Sequence, residues 1–224
     1  MIDIVKKELD WTDLTINVKK SACLRIGKRF KMPAADILID GKPVAVVQEL
    51  KYLGIYITSA KSFKVNLHET KMKYFRSLNG ILGKVGSGCP LNVVLSLVNS
   101  FSTPVLLYGL ETACLNKTDI KRLNYPFRSI FHKLFSTFNN DIIEQCQYYT
   151  GYLPLQHTLA LSCLRFFKSL SQNTFKTKPV GLLNKWFGST KRDVIASQYN
   201  IESYDAPGVF KFKIWLKFKS DLNL

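Results

Sequence analysis

The sequence predicts an α+β protein in which a small antiparallel sheet is followed by a helical bundle. Between Leu14 and Ile57, short β-branched and aromatic runs alternate with turn residues, a pattern typical of antiparallel strands. After Thr58, apolar residues recur every three or four positions, as they do along amphipathic helices. The chain has 224 residues, enough for one domain or two small ones.

In the first quarter of the chain, the sequence pattern predicts one short helix followed by the strands. Ile2, Val5 and Leu9 stand at helical spacing among charged residues, which predicts a helix over 2–14. A hairpin turn is predicted at Asp40-Gly41-Lys42-Pro43. The predicted strands are the runs 15–18, 23–26, 37–39, 44–47 and 52–57.

The centre of the chain predicts helices. The first has an apolar stripe and ends at Gly86-Ser87-Gly88, because glycine is common just after a helix. The stripe is Met72, Phe75, Leu78, Leu82 and Val85. Further helices are predicted over 91–101, 104–115, 119–138 and 155–170.

The tail over 210–219 alternates apolar residues with lysines and Trp215. Period two predicts a strand with an apolar face and a basic face. An edge strand protected by lysines against aggregation explains this pattern at least as well as a nucleic-acid face does. A third interpretation is an anionic-membrane binder acting through 209–219.

The net charge of the chain indicates which kinds of partner it binds. Lysine and arginine number 32 against 16 acidic residues, a net charge of +16 that both halves of the chain share. This surplus favours nucleic acid first and an anionic membrane second. The five dispersed cysteines include no Cys-x-x-Cys pair, so we expect free thiols and an intracellular location, cytoplasm or nucleus. No secretory signal or membrane span is expected.

Motifs for catalysis are missing from the sequence. There is no His-Glu-x-x-His, Gly-x-Ser-x-Gly, zinc spacing or Walker-type loop, and no two aspartates are adjacent. His68, His132 and His157 stand apart from one another. We therefore expect no metal, no cofactor and no catalytic residue in this chain.

Five short sequence motifs occur in a fixed order along the chain and together resemble a known family. The motifs are TINVKKSACLRIG (15–27), LKYLGIYI (50–57), FRSLNGILGKVG (75–86), PVLLYGLE (104–111) and IFHKLF (130–135). Over roughly residues 1–170 the set resembles the back half of the reverse transcriptase of non-LTR (LINE-type) retrotransposons, closest to the jockey and CR1 kind. The resemblance implies a partial palm with a primer-grip hairpin over 1–58 and a helical thumb over 59–150. A C-terminal helical extension with a basic amphipathic tail would then cover 151–224.

The resemblance implies nucleic-acid contacts. Asn17 and Lys20 match the family's Asn-x-x-Lys phrase, whose lysine lies near the phosphates of the incoming nucleotide. The primer-grip corner would be Lys51, Tyr52, Leu53 and Gly54. The cations of the thumb helix would be Lys71, Lys73, Arg76 and Lys84. From the residues alone, each group also has a purely structural explanation. Lys20 would be a solvated lysine, the segment 51–54 would be part of a core strand, and the four cations would be a solvated helix face.

The sequence departs from the family at the catalytic centre. The family holds two magnesium ions with an early aspartate and a Tyr/Phe-x-Asp-Asp turn, and this sequence has no such turn. We therefore expect a fragment that binds RNA, RNA–DNA hybrid or DNA without sequence preference and does not polymerise alone. The alternative is a host-retained, non-catalytic protein-interaction scaffold. A palm without its partners also predicts self-association through a sheet face near Ile37, Val44 and Ile57.

Overall fold

The computed structural model describes residues 2–33, 36–86, 88–113, 115–172, 189–202 and 204–222. Ser87, Cys114 and the part of the predicted extension at 173–188 lie outside the described residues. The chain divides into two compact units, Met1–Glu69 and Thr70–Leu224. The mixture of small sheets and many helices confirms the α+β class.

The first unit begins with helix α1 (Ile2–Asp10), none of whose residues is buried. A 3₁₀ turn (Val18–Lys20) follows, and the described residues after it form seven short strands. They are β1 (Ala22–Cys23), β2 (Leu38–Ile39), β3 (Lys42–Pro43), β4 (Ala45–Val46), β5 (Glu49–Tyr52), β6 (Ile55–Thr58) and β7 (Lys64–Val65).

The described strands form three separate small sheets, and one of them is parallel. β1 pairs with β4 in parallel, with Ala22 opposite Ala45, so the expectation of a single antiparallel sheet is wrong. The other two, β2–β3 and β5–β6–β7, are antiparallel. The strands are too short to share one ladder, because turns interrupt them every few residues.

The predicted hairpin turn at Asp40-Gly41 is confirmed. Leu38 lies opposite Pro43 and Ile39 opposite Lys42, which leaves a two-residue connection. Asp40 and Gly41 have φ values of 51° and 71°, both positive as a type I′ turn requires.

The predicted strand at 15–18 is wrong. Asn17 instead caps the 3₁₀ turn, and its side chain accepts a hydrogen bond from the backbone N–H of Lys20. Asparagine competes for local backbone groups in this way, so the turn is favoured over an extended run.

The sheet face expected to be uncovered is more covered than the sequence suggests. Val44 is buried, and Ile37 and Ile57 are half-buried. The exposed apolar residues of these strands are Leu38 and Val46 instead. Neighbouring residues of a strand point to opposite faces, so burial of Ile39 leaves Leu38 in solvent.

The second unit is helical. After α2 (Leu67–Val85) the chain forms α3 (Leu91–Leu97), a π turn (Val98–Ser102) and α4 (Thr103–Leu107). The later helices are α5 (Lys117–Phe135), α6 (Asn140–Tyr149), α7 (Leu155–Gln172), α8 (Ser189–Gln198) and α9 (Pro207–Asp221). The predicted helices at 119–138 and 155–170 correspond to α5 and α7.

The predicted helices at 91–101 and 104–115 form one interrupted helix that ends at Leu107. Pro104 lacks the N–H that would bond one turn back, which accounts for the π turn just before it. Gly109, with φ of 74°, follows the end of α4. A residue in the left-handed region ends a helix, so the described residues 108–113 do not continue it.

The predicted strand at 210–219 is wrong, because this segment is helix α9. Phe210, Ile214 and Phe218 are buried at four-residue spacing, and they pack with residues of α7 and α8 in one apolar cluster. Phe212 and Leu216, which a strand would place on the same face, are exposed.

Candidate nucleic-acid interface

The residues expected to contact nucleic acid fall into both compact units. Asn17, Lys20 and 51–54 lie in the first unit, and Lys71, Lys73, Arg76 and Lys84 lie in the second.

The Asn-x-x-Lys phrase has a local structural role. The side chain of Asn17 caps the 3₁₀ turn at a distance of 3.2 Å from the backbone nitrogen of Lys20. Ser21 closes the turn, because its hydroxyl donates to the carbonyl of Asn17 over 2.9 Å. The side chain of Lys20 is exposed. Asn17 thus acts as a cap, and only Lys20 remains available for a phosphate.

The predicted primer-grip phrase forms the tip of the β5–β6 hairpin. Tyr52 pairs with Ile55, so Leu53 and Gly54 make the two-residue turn. Their φ values are 45° and 87°, as in a type I′ turn. Leu53 is 73% exposed, and Tyr52 beside it is also exposed.

Leu53 is an unusual residue for this position. Asn, Asp or Gly normally occupies such turns, since an L-residue with a bulky side chain in the left-handed region costs roughly 1 kcal/mol. The turn therefore holds an apolar side chain in solvent at the expense of backbone strain. Strained residues of this kind cluster at binding sites.

Charge and aromatic surface lie side by side on this hairpin. Lys51 and Tyr56 are cross-strand partners, and the ammonium of Lys51 lies 5.7 Å from the centroid of the Tyr56 ring. This is within the range of a cation–π interaction. Asn66 supports the hairpin, because its backbone N–H donates to the carbonyl of Tyr56 over 2.8 Å.

Helix α2 buries a narrower stripe than the sequence suggests. Tyr74 and Leu78 are fully buried, whereas Met72, expected in the stripe, is exposed. The true apolar face is therefore rotated toward Tyr74. The hydroxyl groups of Ser77 and Ser102 bond over 2.8 Å and tie α2 to the π turn.

Three of the four expected thumb cations share one face of α2. At about 100° per residue, Lys73, Arg76 and Lys84 fall within an arc of about 80° that lies outside the buried stripe. They extend over about 16 Å of helix at 1.5 Å per residue. Lys71 lies on the side of the buried stripe, so its position on the helix separates it from the other three; Lys73 is half-buried like Lys71, whereas Arg76 and Lys84 are exposed.

Two glycines lie on the same face, and we call Lys73, Arg76, Gly80, Gly83 and Lys84 the α2 basic face. A methyl group added at Gly80 or at Gly83 would meet nothing within 4 Å. Intramolecular packing therefore does not require these glycines, although each weakens the helix by about 1 kcal/mol relative to alanine. The bare backbone leaves room for another molecule to approach closely.

Sequence reasoning missed a row of aromatic rings on α5. Tyr125 and His132 stand seven residues apart, two helical turns, and Phe138 follows the end of the helix. The ring centroids of His132 and Phe138 are 4.8 Å apart and nearly parallel. The two-turn spacing of Tyr125 and His132 among the cations of α5 is a sequence signal for the first two rings only.

Buried hydroxyl groups hold the helical core together behind these surfaces. The hydroxyl groups of Thr103 and Tyr152 bond over 2.7 Å. Burial raises the pKa of Tyr152 to about 12, and it also raises the pKa of Tyr74. Both phenols are therefore neutral at neutral pH and act as core residues.

Among the residues that the structure describes, no three His, Cys, Asp or Glu side chains lie together as a metal site would require. Asp205, the most buried aspartate near the tail, serves a structural role. Its carboxylate accepts from Lys213 Nζ over 2.6 Å and from the backbone N–H of Glu202 over 2.8 Å. These bonds lower the pKa of Asp205.

Comparison with known proteins finds no matching family model, no matching curated protein and no matching solved structure. In the described part of the chain, no helix combines the length and the apolar character needed to cross a bilayer.

Proposed function

We propose that this chain binds nucleic-acid duplexes, RNA–DNA hybrid or RNA, through their phosphate backbones. The activity would be the residual function of the palm end and thumb of a non-LTR retrotransposon reverse transcriptase. The proposal covers binding only, because the sequence lacks the paired aspartates with which that family holds magnesium.

The α2 basic face is the observation that carries the proposal. Its three cations and two open glycines combine charge with close access to the helix backbone. Phosphate contacts of this kind are independent of base sequence and weaken as salt rises. A solvated helix face would explain the cations but would not need glycines at Gly80 and Gly83.

The hairpin tip supports the same function in the first unit. Leu53 and Tyr52 present apolar and aromatic surface beside Lys51. Such a surface can pack against a sugar or a terminal base while the lysine contacts phosphate. The exposed side chain of Lys20 is a further candidate phosphate contact.

The experiment is fluorescence anisotropy with a labelled RNA–DNA hybrid. The test variant is K73Q/R76Q/K84Q, and the matched control is K211Q/K217Q/K219Q, which removes the same amount of charge from exposed positions of α9. The proposal predicts a large loss of affinity in the test variant and a small one in the control. Equal losses of affinity in the two variants would indicate general electrostatic attraction and would reject the α2 basic face as a specific binding surface.

A second candidate function, the protein-interaction scaffold, is favoured by helix α1. Its apolar residues Ile2, Val5 and Leu9 share one face, yet no residue of the helix is buried. Such a face suits packing against another protein chain. The scaffold function predicts partner binding that persists in K73Q/R76Q/K84Q and is lost in I2D/V5D; the opposite pattern would reject it.

A further inference from the structure

The aromatic row on α5 is exposed where an ordinary helix surface would be polar. Phe138 is 77% exposed and Tyr125 is 65% exposed. The centroids of Tyr125 and His132 lie 6.2 Å apart, and those of His132 and Phe138 lie 4.8 Å apart with an interplanar angle of 26°. Three rings thus follow one another along one side of the second unit, and two of them offer open faces.

We propose that Tyr125, His132 and Phe138 form a stacking site for the unpaired bases of single-stranded nucleic acid. The site goes beyond duplex binding by the α2 basic face, although it rests on the same proposal that the partner is a nucleic acid. Bases stack on aromatic side chains in a sequence-tolerant way, because every base has a π-face.

The row is held in place before any ligand binds. Ser136 ends α5 with a left-handed φ of 51° and reverses the chain toward the helix. Asn139 then caps α6, and its side chain accepts from the backbone N–H of Asp141 over 2.9 Å. Phe138 sits between these two turns.

His132 is oriented by a hydrogen bond as well. Its Nδ1 lies 2.8 Å from the carbonyl oxygen of Thr137 and donates to it, since a carbonyl only accepts. The ring of Phe138 stacks on this fixed imidazole. Preorganisation lowers the conformational entropy that a ligand must remove on binding.

The charge on α5 suits a polyanion rather than an apolar protein partner. The helix carries five Lys or Arg residues and a single acid, Asp119. That carboxylate belongs to the capping box with Asn116. Arg128 pairs with Glu144, while Lys121 and Arg122 on the same helix are exposed. Positive charge beside stacked rings is the arrangement found in single-strand binding grooves.

Lys133 connects the row to the α2 basic face. Its ammonium donates to Asn79 Oδ1 over 2.9 Å, and Asn79 lies next to Gly80 on α2. A strand that leaves a duplex bound on α2 therefore finds a cation and then stacked rings nearby. This placement suits the junction between paired and unpaired nucleic acid.

The test compares single strands with duplex in anisotropy titrations. Probes are labelled oligo-dT and oligo-rU of about 12 nucleotides, within the usual site sizes of single-strand binding folds, and an RNA–DNA hybrid. The dT and rU arms distinguish DNA from RNA as the single strand. The variants are Phe138→Ala and Phe138→Leu, and Phe212→Ala on α9 is the matched control because Phe212 is 62% exposed.

We expect Phe138→Ala to weaken binding of at least one single strand about tenfold, the usual effect of removing one stacked base. Phe138→Leu should lose nearly as much, because leucine keeps apolar area but has no π-face. Hybrid binding and the control should change less than twofold. Wild-type single-strand affinity in both Phe138 variants, or equal losses for hybrid and single strand, would overturn the stacking site. If the wild-type protein binds single strands but does not bind the hybrid, the proposal of duplex binding is rejected and the stacking site is not.

Discussion

The ammonium of Lys133 on α5 donates a hydrogen bond to the side-chain oxygen of Asn79 on α2 over 2.9 Å. The bond links the neighbour of Gly80 in the α2 basic face to the neighbour of His132 in the aromatic row. Because both helices also contribute fully buried residues, Leu78 from α2 and Phe127 from α5, the surfaces are parts of one packed body.

Replacing the two open glycines should separate stability from binding. In G80A/G83A, each alanine should raise the free energy of unfolding by about 1 kcal/mol, because helix propensity improves and no neighbour lies within 4 Å. Binding of RNA–DNA hybrid should weaken about fivefold, equivalent to roughly 1 kcal/mol, since the new methyl groups occupy the space of the ligand. Urea denaturation and anisotropy measure the two effects.

Gly208 on α9 provides the matched control for the glycine variants. It is also a helical glycine with nothing within 4 Å of an added methyl group. Gly208→Ala should stabilise the protein and leave hybrid binding unchanged. If G80A/G83A binds as tightly as the wild type, the glycines have no role in recognition.

Relieving the strain at Leu53 should stabilise the hairpin and weaken binding. Asparagine tolerates the left-handed conformation, so Leu53→Asn should stabilise the β5–β6 turn by about 1 kcal/mol. Amide hydrogen exchange in the hairpin should slow about fivefold. Hybrid affinity should fall because the apolar tip is lost, and tighter binding in this variant would contradict a binding role for Leu53.

Two alanine substitutions test helix α9 directly. Ile214 is fully buried in the cluster with α7 and α8, so Ile214→Ala should cost about 2–5 kcal/mol of stability. Leu216 is exposed, and Leu216→Ala should change stability by about 0.5 kcal/mol or less. A strand with one buried face would give similar losses at both positions in urea denaturation.

His157 should make the protein less stable in mild acid. Burial lowers the pKa of His157 below the ordinary value near 6.5. The charge of Asp221 opposes this shift by raising the pKa, and the charge of Lys217 lowers it further. As the pH falls, His157 is therefore protonated at a higher pH in the unfolded chain than in the folded protein. The stability that His157 contributes is complete above about pH 6.5 and is lost as the pH falls through its lower folded pKa.

The variant His157→Gln tests this pH dependence, since glutamine keeps a polar side chain near the hydroxyl of Tyr199, which lies 3.0 Å from His157 Nδ1. The decline in the free energy of unfolding between pH 7 and 5 should become shallower. The exposed His68, changed to Gln, serves as the control for removal of a histidine. An unchanged slope in His157→Gln would show that other groups cause the decline.

The parts of the fold that follow from local sequence were predictable. The turn at Asp40-Gly41 follows from turn chemistry, and the helices α2, α5 and α7 follow from their apolar periodicity. The tail was not predictable in this way. Its alternation of Phe and Lys satisfies a strand, but Phe210, Ile214 and Phe218 equally form one helical face. Only the cluster with α7 and α8, which is tertiary, decides between the two.

The candidate site was predictable in part for the same reason. Spacing placed Arg76 and Lys84 on the solvent face of α2, but rotation of the buried stripe toward Tyr74 removed Lys71 from it. The strain at Leu53 is a backbone property that residue type does not reveal. The stacking of Phe138 on His132 depends on the chain reversal at Ser136, which no local motif predicts.

The salt dependence of hybrid binding reports on phosphate contacts made by the α2 basic face. The logarithm of the wild-type association constant should fall linearly with the logarithm of salt concentration. In K73Q/R76Q/K84Q the slope should be smaller by about 2.7, which corresponds to three phosphate contacts at about 0.9 each. The control K211Q/K217Q/K219Q should keep the wild-type slope. Identical slopes in all three proteins, or no hybrid affinity even at low salt, would contradict phosphate binding by α2.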